Sequence, residues 1–149
     1  MWIAAPERPI RHAAQEPMAG IRIHDLTDEH VLAFDLADLL EGLGKEAELS
    51  SWKCSVGECI SKDDARPDLE DAYNSPVRLS GPEILALASE TLQVVDGVFE
   101  AFRPGERRPW IKLEAVDSTY WEVFAAKAAD LSSLRLRFSE VESIEEDAD

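Results

Sequence analysis

Leu36, Leu39, Leu40 and Leu43 recur at i, i+3, i+4 and i+7, one unbroken apolar stripe along a helix. Asp35, just before them, is a residue type that caps the free amides of a first turn. Asp38 lies near the positive helix end. Gly44 follows as a residue that takes positive φ cheaply. The spacing predicts a helix that starts at Asp35 and ends before Gly44. A second helix begins at Ser80, where Ser80 and Glu83 form a capping box, with Leu79 and Ile84 as a hydrophobic staple. Pro82 falls in the first turn, where a missing amide costs nothing. Ile84, Leu87, Ala88, Thr91 and Leu92 supply its buried stripe. A third helix is predicted over 126–138 from Leu131, Leu134 and Phe138 and the helix propensity of 125–129. Leu134, Leu136 and Phe138 alternating with Arg135 and Arg137 also fit a strand; the helix is the reading adopted.

Strands follow from period-two alternation. Trp52, Cys54 and Val56 share one face of a strand over 51–60, and Gly57 interrupts it as a bulge would. Residues 31–34 form a short apolar run, read as a strand. Residues 94–102, 110–116 and 120–124 form a β-meander, turned at Pro104-Gly105 and Asp117-Ser118. The 94–102 strand is apolar on both faces, which suits a central position. Tyr120 and Trp121 must face opposite sides. Residues 61–78 read as polar loop with a helical turn at 68–73. The fold class is α+β: an antiparallel sheet with a β-meander in the C-terminal half, packed against about three helices and covered mainly on one side. The organisation is a flexible tail over 1–20, one domain over 21–139, and an acidic tail over 140–149, where six acids meet no base.

With 149 residues the chain is one domain that needs neither disulfide nor metal to fold. No run approaches the roughly 20 apolar residues of a membrane span. The N-terminus shows no apolar signal core, so a cytoplasmic location is expected, with Cys54 and Cys59 as reduced thiols. Charge changes the picture most: 31 acids against 15 bases give −16. Such a chain repels phosphate and anionic lipid, which argues against direct nucleic-acid or membrane binding. It attracts basic proteins.

Catalytic motifs are not found. Phosphate loops and nucleophile elbows are absent. Cys54 and Cys59 make a C-x4-C, and His24 and His30 an H-x5-H, but on a regular strand the cysteines point to opposite faces. A Cys-His nucleophile pairing has no local support. The reading therefore carries no catalytic residue, no metal and no cofactor.

Function is expected to be that of an acidic interaction module binding a basic partner protein: an inhibitor, an immunity-type protein or a nucleic-acid mimic. Its candidate carboxylates are Asp35, Asp38, Glu41, Glu46 and Glu48, then Asp63, Asp64, Asp68, Glu70 and Asp71. An alternative surface is the hairpin cluster Arg103, Arg107, Arg108 and Trp110, residue types favoured at interface hot spots. The alternative function is a small-molecule-binding protein or enzyme, with Trp110, Tyr120, Trp121 and Arg103 lining a pocket between sheet and helices.

Met18 precedes the first alternating residues, so the preceding seventeen are expected to be dispensable. A chain beginning at Met18 should melt at the same temperature as the full protein; a large drop in thermal unfolding would refute this.

Overall fold

The computed structural model describes residues 18–64 and 66–145, the side chain of Asp64 excepted. Seven strands form one antiparallel sheet: β1 (Ala19–Ile23), β2 (Ser51–Ser61), β3 (Leu79–Ser80), β4 (Thr91–Phe102), β5 (Ile111–Val116), β6 (Tyr120–Ala125) and β7 (Val141–Glu145). Their spatial order is β3-β2-β4-β5-β6-β1-β7. The meander β4-β5-β6 lies together, with β4 inside the sheet, as its two apolar faces require. The α-helices are α1 (Leu36–Leu43), α2 (Lys45–Leu49), α3 (Leu69–Tyr73), α4 (Gly81–Ser89) and α5 (Ser132–Arg137).

Register decides which side chains are buried. Cys54, Phe99, Leu113, Val123 and Ile21 are successive partners in one row across five strands. That row faces inward, and Phe99, Leu113, Val123 and Ile21 are fully buried. The adjacent row, Ser55, Val98, Glu114, Glu122, Arg22 and Glu142, points outward by the alternation of the pleat. Leu36, Leu39 and Leu40 of α1, Ala47 of α2, Leu69 and Tyr73 of α3, Ile84 and Leu87 of α4 and Leu134 of α5 join the inward row in one core. Phe102 and Phe124 lie outside that core, on the outer face. Arg78 covers Phe102 at 3.7 Å from its ring centre, and Lys112 covers Phe124 at 5.0 Å.

The α1–α2 segment is tied to the sheet by indoles. Buried Trp52 donates its Nε1–H to the Ala47 carbonyl at 3.0 Å. Buried Trp110 donates to Ser50 Oγ at 2.8 Å, and the Ser50 hydroxyl donates in turn to the Glu46 carbonyl at 2.7 Å. Each indole N–H thus finds the partner that burial demands. The first turn of α4 then packs directly on the end of α2. A Cβ added at Gly81 would lie 1.9 Å from the Glu48 carbonyl oxygen.

Several expectations change. The 31–34 run makes only a single bridge, Leu26 to Leu32. Both edges of β1 are taken by β6 and β7, so that run cannot pair with β1. The second helix stops at Ser89 and Thr91 opens β4, because long-range pairing with Ser61 overrides the helical spacing. The third helix is a 3₁₀ turn (Ala128–Leu131) followed by the shorter α5. Residues 141–145 of the expected acidic tail are instead strand β7, paired along β1, and β1 itself begins at Ala19, inside the expected N-terminal tail. Residues 1–17 and 146–149 lie outside the described residues.

Gly81→Ala should lower stability by at least about 2 kcal/mol, since the obstruction is backbone that cannot rotate away. Urea unfolding checks this; an unchanged midpoint would contradict the close packing of α4 on α2.

Candidate interaction surface

The α1–α2 carboxylates are mostly committed within the fold. Asp38 accepts the Asp35 N–H at 2.9 Å, closing the first turn of α1. Glu41 pairs with Arg137 of α5 at 2.8 Å, and Glu46 with Arg103 at 3.0 Å. Asp35 accepts the Val94 amide of β4 at 3.0 Å. Glu48 is exposed, with no ion pair among the described residues.

The 63–71 segment divides in the same way. Asp68 pairs with Arg66 at 2.8 Å, and that hydrogen bond holds its carboxyl below the usual range. Glu70 accepts the Cys59 amide at 3.0 Å. Next to it, Asn74 pairs with Val56 like a strand residue: it accepts the Val56 N–H at 2.7 Å and donates to the Val56 carbonyl at 2.8 Å. These two side chains engage Val56 and the Cys59 amide on the edge of β2 beyond the two-residue β3. Asp63 and Asp71, with Glu58 of β2, hold no ion pair among the described residues. Of Asp64 the structure describes only the backbone. Beside α3 a depression of about 270 Å³ is lined by Cys59, Ile60, Arg66 and Glu70.

The basic hairpin is not an open patch. Trp110 is 3% exposed, and Arg103 stacks over it at 4.6 Å while reaching Glu46 and, at 3.6 Å, Asp130. Arg107 is exposed on the connecting loop, and Arg108 is engaged. The proposed pocket lining does not converge either. Trp121 is fully buried on the inner face, whereas Tyr120 lies on the outer face under Arg22, 4.5 Å from its ring centre.

Asp35 has the most unusual setting. It lines a depression of about 310 Å³ with Leu32, Asp38, Lys62, Thr91 and Leu92. Burial pushes its carboxyl up to about 7, opposed by backbone N–H groups at Leu36 and Val94. The Trp121 indole approaches it, but its buried Nε1–H closes no hydrogen bond. On the other side Tyr73 meets the Thr91 hydroxyl at 2.7 Å, and Thr91 donates to the Leu87 carbonyl. Tyr73 is therefore the donor to Thr91, and burial raises its pKa.

The bulge expected at Gly57 is present, since the β2–β4 register skips that residue. It turns Cys59 to the same side as Cys54, and both pack against the core. Burial pushes the Cys54 thiol up to about 12. Burial, and then the Glu70 charge, push Cys59 up to about 11. Neither supplies much thiolate near neutral pH. No group of three or more His, Cys, Asp or Glu side chains among the described residues is placed to hold a metal ion.

Two features escaped the sequence. On the outer face Glu114 stands directly opposite Glu122, and among the described residues Arg22 holds Glu122, at 2.9 Å, while Glu114 has no ion pair. At the sheet's end, β7 leaves an edge that nothing among the described residues covers. His24 N–H donates to the Glu140 carbonyl at 2.9 Å. In an antiparallel ladder bonded pairs recur at every second residue. Arg22–Glu142 and Gly20–Ile144 are then the bonded pairs, and the N–H and C=O groups of Val141 and Ser143 point away from β1. Only a strand assignment at 141–145 would have exposed this edge to inspection.

No protein-family model, curated protein or solved structure matches the chain.

Because the folded carboxyl of Asp35 binds its proton up to about pH 7, the folded state holds more protons than the unfolded one between about pH 4 and 7. Its contribution is therefore most favourable below that window and is lost as pH rises through it, by up to about 1.4 kcal/mol per pH unit. Asp35→Asn should flatten the fall in urea midpoint between pH 5 and 8. Parallel wild-type and variant profiles would show that Asp35 is ionised throughout.

Proposed function

We propose that this protein is an acidic interaction module that docks a basic partner protein. The supporting observation is the charge left after internal pairing. Asp28, Glu29, Glu48, Glu58, Asp63 and Asp71 all face solvent with no ion pair among the described residues. The base-rich hairpin, the chief cationic feature of the sequence, has turned its Arg103 inward to Trp110 and Glu46. Surplus carboxylate steers cationic proteins toward the surface and makes their capture salt-sensitive. An inhibitor, an immunity-type protein and a nucleic-acid mimic would all work this way. Of the carboxylates expected from the sequence, Glu48, Asp63 and Asp71 are exposed and hold no ion pair among the described residues, which supports a role for them in the proposed docking.

A second reading, a small-molecule site, has one observation in its favour. Asp35 is a carboxyl with a strongly raised pKa at the wall of a depression, a combination found at functional sites. A small ligand that raises the melting temperature of the protein but not of Asp35→Asn would support it.

The main reading is checked by presenting the immobilised protein to basic proteins at low and at high salt. Retention in dilute buffer, release at high salt, and weakened retention by a Glu48→Gln, Asp63→Asn, Asp71→Asn triple variant are expected. Failure to retain any basic protein in dilute buffer would end the proposal.

A further inference from the structure

The two edges of the sheet are treated differently. At β2, beyond β3, the Asn74 side chain occupies both the N–H and the C=O of Val56 and Glu70 accepts the Cys59 N–H, which obstructs strand pairing at those positions. At β7 the outward N–H and C=O groups of Val141 and Ser143 meet no partner among the described residues. An uncovered edge of this kind is a template for strand addition. Side-chain chemistry narrows the occupant. Glu140, Glu142 and Glu145 are exposed along the strand; Glu142 is shared by Arg22 at 3.5 Å and His24 at 3.1 Å, while the carboxylates of Glu140 and Glu145 hold no cation among the described residues. A second copy of β7 would set carboxylates against carboxylates, which disfavours self-pairing. A strand carrying Lys or Arg on the outer face, next to Glu140 and Glu142, and apolar groups on the inner face, next to half-buried Val141, matches both rows.

We infer that β7 receives an extended, alternately basic and apolar segment of the partner as an added antiparallel strand. The inference rests on the acidic-module reading and specifies its docking mode.

The test uses two synthetic peptides of equal charge and composition, one alternating lysine and valine, the other with its lysines blocked together. Binding to the full chain is measured in dilute buffer, with amide exchange followed by NMR. The alternating peptide should bind about tenfold more tightly and slow exchange at Val141 and Ser143. Ser143→Pro, which removes an outward N–H but no bond to β1, should abolish the preference while leaving the melting temperature nearly unchanged. Should that variant unfold, wild-type exchange still decides. Equal affinities without protection would overturn strand addition and leave the acidic module standing. Binding of neither peptide would remove both. Protection already present in the free protein, and lost on dilution or on removal of residues 1–17, would show that a second copy or the chain itself fills the edge, and would also overturn the inference.

Discussion

Two indole N–H groups organise this fold. Trp52 and Trp110 bring large apolar surfaces into the core, but each carries a donor that is costly to bury unpaired. Both donors are answered within one short stretch, at the Ala47 carbonyl and the Ser50 hydroxyl. That stretch is α2 with its cap residue Ser50; the helix is only five residues long, with little stability of its own. Pinned by the indoles, it fixes where α1 leaves the sheet and where Gly81 can seat the first turn of α4. The α1 stripe and the α4 stripe then close over the inward row of β4, β5 and β6. The helical layer thus owes its position to two polar contacts beneath it, more than to helix propensity.

Much of the architecture was legible because local and global signals agree. The leucine stripe from Leu36, the Ser80–Glu83 box and the meander turns at Gly105 and Asp117 each specify an element by chemistry confined to a few residues. The failures share a cause in long-range pairing. Thr91 fits a helical stripe and a strand equally well, and only Ser61 across the sheet decides. Val141 and Ile144 are sparse among acids, and their strand character comes from lying along β1, 118 positions away at the Ile23–Val141 pair.

The candidate site was less legible, and for an electrostatic reason. Sequence counts carboxylates but does not show which ones already hold an amide or a guanidinium. Asp35, Glu41, Glu46, Asp68 and Glu70 look alike in the sequence and serve as internal partners in the structure. Exposed pairs such as Glu41–Arg137 contribute little energy individually, about 0–1 kcal/mol. Their importance lies in which groups they occupy: Arg22, Arg66, Arg103 and Arg137 are held by carboxylates of the fold, while Glu48, Asp63 and Asp71 face solvent with no ion pair among the described residues. Cys54 and Cys59 show the same limit in another form: a single extra residue at Gly57 reverses which side of the sheet Cys59 occupies.

Asn74 has a consequence for assembly. Its amide imitates one residue of a neighbouring strand and so takes the place of a longer β3 at Val56. A sheet with two receptive borders could propagate head to tail into a filament. With Val56 blocked by a side chain, strand addition of the kind inferred at β7 would be confined to that border of the sheet. Exchanging Asn74 for an apolar residue would restore the second border and with it the hazard of open-ended fibres.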